Sequence, residues 1–142
     1  MTPKYIVIHT AAFQGRNCDA DMIKDWHRKR GWRDIGYHFV ILNDRHEHKT
    51  DGCIESGRSE DSSGAHARGL NGISLGICCI GHGDKENLTP SQYESLYLLV
   101  NKLRDKYRIP IENVIGHREL NTLIEKDLLS DRYRTSKSCP GS

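Results

Sequence analysis

Apolar residues fall into short β-branched runs separated by polar, glycine-containing stretches, and two further segments repeat their apolar residues at helical spacing. The first run, residues 4–9, carries Tyr5, Ile6, Val7 and Ile8 in succession and reads as a buried strand with His9 at its C-terminal end. Residues 19–30 form a helix with Asn17 or Asp19 as N-cap, Ile23 and Trp26 on one face beside His27, and Gly31 as terminator. Residues 36–42 (GYHFVIL) are the next strand. The polar stretch 43–50, followed by Asp51-Gly52, is a hairpin connection to Cys53-Ile54-Glu55. Residues 56–71 are polar and glycine-rich, and loops of that length are often functional.

The near-continuous apolar run 73–80 (ISLGICCI) implies a strand buried on both faces in the middle of a sheet. Its adjacent Cys78 and Cys79 must then point to opposite faces as small buried hydrophobes. Thr89-Pro90-Ser91-Gln92 has the form of a capping box, and Tyr93, Leu96, Tyr97, Val100, Leu103 and Tyr107 continue it at helical spacing. That helix stops near Arg108, because Pro110 disfavours helical geometry in the residue before it. Asn113-Val114-Ile115 is a last short strand leading into Gly116-His117-Arg118-Glu119. The order of elements predicts an α/β fold: one domain over residues 1–142, with a central mixed β-sheet flanked by helices and the chemistry on strand-end loops.

Composition narrows the function classes. With 36% hydrophobic and 28% charged residues the chain can build a core and a solvated surface, which excludes disorder. Its 21 basic and 19 acidic residues nearly cancel, so no nucleic-acid partner follows from charge. The apolar run Ile6-Val7-Ile8 is too short for a signal sequence or a membrane span, and a cytoplasmic protein is expected. Five cysteines without regular spacing argue against a disulfide framework and for a reducing compartment.

Three side chains are candidate metal ligands that a sheet can bring together: His9 after the first strand, His117 after the last, and Cys139 near the C-terminus. Two imidazoles and a thiolate suit Zn²⁺, and three protein ligands leave a fourth position open, the mark of a catalytic rather than a structural site. The competing reading is ordinary strand-end histidines and a free tail thiol, since no compact ligand signature is present. His38 should be a packed, hydrogen-bonded histidine, whereas His27, His46, His48 and His82 read as surface residues. Glu119 either orients His117 or is exposed.

The chain resembles the N-acetylmuramoyl-L-alanine amidase family, which includes phage endolysins and peptidoglycan recognition proteins. The resemblance rests on IVIHTAA (6–12), DIGYHFVI (34–41), GAHARGLNGISLGICCIG (64–81), LTPSQYESL (88–96), IGHREL (115–120) and KSCPG (137–141), in the family's order. It implies zinc binding by His9, His117 and Cys139, catalytic partnership by Tyr37 and Lys137, and His66 lining the substrate cleft without binding metal; a surface-loop histidine is the alternative for His66. Lys137 would face the developing oxyanion with a fixed positive charge, and the Tyr37 hydroxyl would orient water or the carbonyl, or help to move a proton. Residues 120–136 are longer than in compact relatives and should form a loop or short helix near the cleft, and the chain stops directly after CPG, where relatives usually continue.

The activity so implied is zinc-dependent hydrolysis of the amide between N-acetylmuramic acid and L-alanine in peptidoglycan. The expected protein is a monomeric phage endolysin that gathers in the host cytoplasm and reaches the wall after membrane permeabilisation. Alternatives are a non-catalytic peptidoglycan recognition module, an intracellular amidase acting on soluble muropeptides, and a zinc-stabilised domain acting on a protein partner.

Overall fold

Nine residues of nearly unbroken apolar character place the strand β4 (Ser74–His82) in the centre of the sheet, where both of its faces are covered. The computed structural model describes residues 1–82 and 88–116, with backbone alone at His82. Around β4 lie β1 (Tyr5–Phe13), β2 (Phe39–Ile41), β3 (Ile54–Ser56) and β5 (Val114–Gly116), in the order β3-β2-β4-β1-β5. β1 runs parallel to both β4 and β5, β2 is parallel to β4, and among the described strands only β3 is antiparallel, closing the expected hairpin with β2. The sheet is therefore mixed, as the sequence predicts.

Two strands differ in length from expectation. β1 continues to Phe13 because β4 extends to His82 and keeps offering partners, Thr10 to Cys79 and Ala11 to Ile80. His9 consequently lies inside β1, not at its end. β2 is shorter, because residues 36–38 give their carbonyls to the long loop: Gly36 accepts from Ala65 N–H, Tyr37 from Arg58 N–H and His38 from Gly57 N–H.

Alternation sorts the side chains into two layers. Ile6, Phe39, Ile41, Leu75, Ile77 and Cys79 face the helix α2 (Pro90–Tyr107) and pack with its Leu99, Val100 and Leu103. Val40, Leu42, Cys78 and Ile80 face the other way and pack with Ile35, Cys18 and Ile23 of the helix α1 (Ala20–Lys29). Cys78 and Cys79 do lie on opposite faces, both fully buried.

Both helices start where their caps dictate. Thr89 and Gln92 form the capping box reciprocally, and Gln92 does more: its side-chain nitrogen donates to the carbonyls of Ile41 (3.2 Å) and Ile80 (2.8 Å). One fully buried amide thus ties the first turn of α2 to the ends of β2 and β4. Thr89 Oγ1 donates to Asp51, and Ser95 Oγ to the Gly52 carbonyl, which anchors the same turn to the hairpin. Tyr93 and Tyr97, expected in the apolar stripe, are exposed; the stripe is centred on Leu96, Leu99, Val100 and Leu103, which leaves both tyrosines at its edge.

Asp19 caps α1 by accepting from Met22 N–H, and its other oxygen receives His46 Nε2 (2.9 Å) and Lys49 Nζ (3.0 Å). Lys49 also reaches Glu55, which accepts from Ala20 N–H. His46 is thereby held against α1 with its side chain 7% exposed, which corrects its reading as a surface residue. His48 is exposed as expected. Burial alone would raise the Asp19 pKa, but the Met22 N–H, Lys49 and His46 together hold it below the ordinary carboxylate value.

Two outcomes follow. Gln92→Leu leaves two sheet carbonyls without this donor and should lower unfolding free energy by about 2 kcal/mol in urea titrations, with the slope unchanged. A lowered folded-state pKa stabilises above the unfolded value near 4 and loses that contribution as the pH falls through the folded pKa. Asp19→Asn keeps the cap but not the charge, so the mutant should be less stable by up to about 1 kcal/mol at pH 7. In urea titrations at pH 7 and pH 3, the difference should shrink at the lower value.

Candidate active site

His9 follows Val7 and precedes Ala11 on the face of β1 that looks towards α1, and its imidazole is 1% exposed. Its register partner on β4 is Cys78, while on the other side β5 pairs Gly116 with Ile8. A polar ring that is 1% exposed has almost no bulk water to bond to, so neighbouring groups must supply its partners.

They do so with aromatic and imidazole rings. Tyr37, half-buried in the segment before β2, places its ring centroid 5.0 Å from that of His9. His66 Nδ1 lies 3.0 Å from His9 Nε2, with the rings edge to face. His66 Nε2 is 3.3 Å from Ser74 Oγ, which donates to the Leu70 carbonyl at 2.7 Å. The loop that carries His66 is clamped by Asn71, whose Oδ1 accepts the N–H groups of both His66 and Ala67.

Two glycines make room for this ring. A Cβ on Gly76 would sit 2.5 Å from His66 Cγ, and one on Gly64 would sit 2.5 Å from His66 Cδ2. The glycine interrupting the apolar run of β4 is therefore a space requirement of His66. At 6% exposure His66 is not a surface-loop residue; that alternative is overturned.

His38 is the packed histidine expected: its Nδ1 accepts from Gly76 N–H (3.0 Å), its Nε2 donates to the Ser62 carbonyl (2.8 Å), and burial lowers its pKa. His27 is not a surface residue. It lies 7% exposed on the inner face of α1, accepts from Gly36 N–H through Nδ1, and packs against Trp32 and Tyr37. Its spacing of four from Ile23 is the signal that marks it as inward-facing. Beside these rings an open cleft of about 450 Å³ is lined by Trp32, Arg33, Asp34, Arg58, Ser62, Ser63 and Ala65, with Arg58 pinned by the carbonyls of Ile35 and Ser63. Sequence reasoning gave no role to Trp32, Arg58, Asn71 or Ser74.

Among the described residues no three His, Cys, Asp or Glu side chains gather as a metal site would require. Burial pushes the thiols of Cys18 and Cys79 up to about 12, with Asp19 adding to the effect at Cys18, so both remain protonated and unsuited to ligation. Of the proposed ligands only His9 is described; His117, Cys139 and the proposed catalytic Lys137 lie outside the described residues, as do Glu119 and residues 120–136. His117 follows in sequence directly on Gly116, the partner of Ile8. The structure thus brings Tyr37 and His66 to His9.

Relatives carry the same architecture. The endolysin of Enterobacteria phage T3 is 38% identical over 112 residues, which is 75% of this chain and 70% of that protein. The endolysin of Escherichia phage T7 is 39% identical over 108 residues, 72% of this chain and 67% of that protein. Among solved structures, the endolysin N-acetylmuramoyl-L-alanine amidase LysCS from Clostridium intestinale is 33% identical with a TM-score of 0.75, covering 99% of this chain and 76% of that one. Drosophila PGRP-LB superposes with a TM-score of 0.69 at 26% identity, covering 99% of this chain and 76% of that one. The family model described as Amidase_2, N-acetylmuramoyl-L-alanine amidase, matches residues 1–142, and the chain belongs to that family.

Proposed function

We propose that the protein is a zinc-dependent amidase of the endolysin type, hydrolysing the amide between N-acetylmuramic acid and L-alanine in peptidoglycan. The observation that carries this reading is the gathering of Tyr37 and His66 around the buried His9, beside the end of β5, in a chain of the N-acetylmuramoyl-L-alanine amidase family. The donor set fits the metal by its chemistry: His9 is a buried imidazole whose ring is held in place, and His117 and Cys139 complete a set of two nitrogens and one sulfur. Bound there, Zn²⁺ would supply Lewis-acid polarisation of the scissile carbonyl and lower the pKa of water at its open position.

The chain's own residues do the rest. Tyr37, whose ring packs on that of His9, would use its hydroxyl to orient the scissile group or move a proton. Lys137 contributes a positive charge to the developing oxyanion. Among the described residues no helix is long and apolar enough to cross a membrane. Production in a host cytoplasm, with access to the wall after permeabilisation, and a monomeric state belong to the same proposal.

A recognition module that binds peptidoglycan without cutting it is the second reading, considered because a Drosophila relative 32% identical over 126 residues is named for peptidoglycan recognition. Digestion of purified murein separates the two. The enzyme should release new L-alanine amino termini, lose activity with a chelator and regain it with Zn²⁺. Binding without new termini would leave only the recognition module, and new reducing ends alone would remove the amidase reading. Tyr37→Phe should lower kcat about 100-fold while zinc content, measured by atomic absorption, is unchanged.

A further inference from the structure

We infer that His66 is a positioning residue: anchored through Ser74 to the Leu70 carbonyl, it holds His9 as the Nε2–H tautomer and thereby selects Nδ1 as its metal-binding atom. The selection of Nδ1 rests on the proposal that His9 is a metal ligand; the tautomer itself does not.

The direction of each hydrogen bond is fixed from the far end of the chain of contacts. A serine hydroxyl has one proton, and a carbonyl oxygen can only accept. The 2.7 Å contact from Ser74 Oγ to the Leu70 carbonyl therefore takes the serine's only proton. Ser74 Oγ then presents lone pairs to His66 Nε2 at 3.3 Å, so that nitrogen carries its hydrogen. A neutral imidazole has a single N–H, and His66 Nδ1 is accordingly the acceptor. It faces His9 Nε2 at 3.0 Å, which must donate. A neutral His9 that donates through Nε2 keeps its lone pair on Nδ1. The reverse arrangement sets a lone pair of His66 Nε2 against the lone pairs of Ser74 Oγ inside a protein core.

Among the described residues the surroundings hold this arrangement in place. His9, His66 and Ser74 are 1%, 6% and 0% exposed, so bulk water does not compete for these bonds. The His66 ring fills the space that side chains at Gly64 and Gly76 would take, and Asn71 fixes the main chain that carries it. This is the geometry by which a hydrogen-bonded partner orients a metal-bound histidine and raises its basicity, with an imidazole in place of the usual carboxylate or carbonyl.

Nitrogen-15 NMR of the imidazoles in the metal-free protein at pH 8 tests the tautomer without any assay of activity. His9 should show Nε2 as the protonated nitrogen and Nδ1 as the bare one; the opposite pattern overturns the inference. Zinc affinity, measured by competition with a chromophoric chelator, supplies the second readout. His66→Leu and Ser74→Ala should weaken binding, His66→Leu by about 10- to 100-fold. His66→Asn, which puts an amide oxygen where Nδ1 sits, should recover most of that loss, a recovery that packing alone would not produce. Unchanged affinity in a folded His66→Leu protein overturns the positioning role while leaving the amidase reading intact. If the wild type binds no zinc, the metal reading and the selection of Nδ1 fall together, and the NMR pattern alone then judges the relay. Should His66→Leu fail to fold, the wild-type NMR pattern still decides.

Discussion

A polar ring lies buried against the parallel strands of a mixed sheet, and much of the local structure follows from satisfying it. His9 sits on β1 between β4 and β5, where the sheet's own hydrogen bonds use the backbone and offer nothing to a side chain. An imidazole nitrogen buried there without a partner costs on the order of 1–3 kcal/mol. Among the described residues a second imidazole is its partner, which needs its own, and that sequence of dependencies runs to a backbone carbonyl, that of Leu70. The glycines at 64 and 76 and the clamp by Asn71 are explained by the volume and orientation of that second ring.

The two faces of the sheet divide the labour. On the α2 face the core is apolar, Phe39 and Cys79 among its aliphatic side chains, and the Gln92 amide locks the helix to the ends of β2 and β4. On the α1 face the aliphatic cluster gives way, towards β1, to His9, Tyr37, His66 and His27, packed ring against ring. Alternation makes this possible: one strand can give Ile6 and Ile8 to the apolar layer while giving His9 to the site, with no change in backbone geometry.

What was legible in the sequence was whatever depends on local pattern. The cap at Thr89, the cap at Asp19 as one of two candidates, the hairpin between β2 and β3, the two-sided burial of β4 and the opposite orientation of Cys78 and Cys79 all follow from spacing and turn chemistry. Properties set by distant partners were not. The extension of β1 beyond His9 depends on how far β4 runs, and the burial of His46 depends on Asp19, 27 residues away. His66 lies in a glycine-rich stretch that reads as exposed, and its contacts with β1, 57 residues earlier, and with β4 make it part of the core. Family resemblance pointed to His9, Tyr37 and His66, but it did not say that one of them is held by another.

That distinction changes what kind of residue His66 is. A side chain that only lined a substrate cleft would be expected to keep one nitrogen turned to solvent in the substrate-free protein. His66 instead commits both ring nitrogens to protein partners, Nδ1 towards His9 and Nε2 towards Ser74, at 6% exposure. Catalytic groups gain most from electrostatic environments that are already organised before substrate arrives. Here the organisation is built into the sheet: the tautomer of His9 is determined by bonds that end in the backbone carbonyl just before β4, so it holds for as long as the sheet itself is folded.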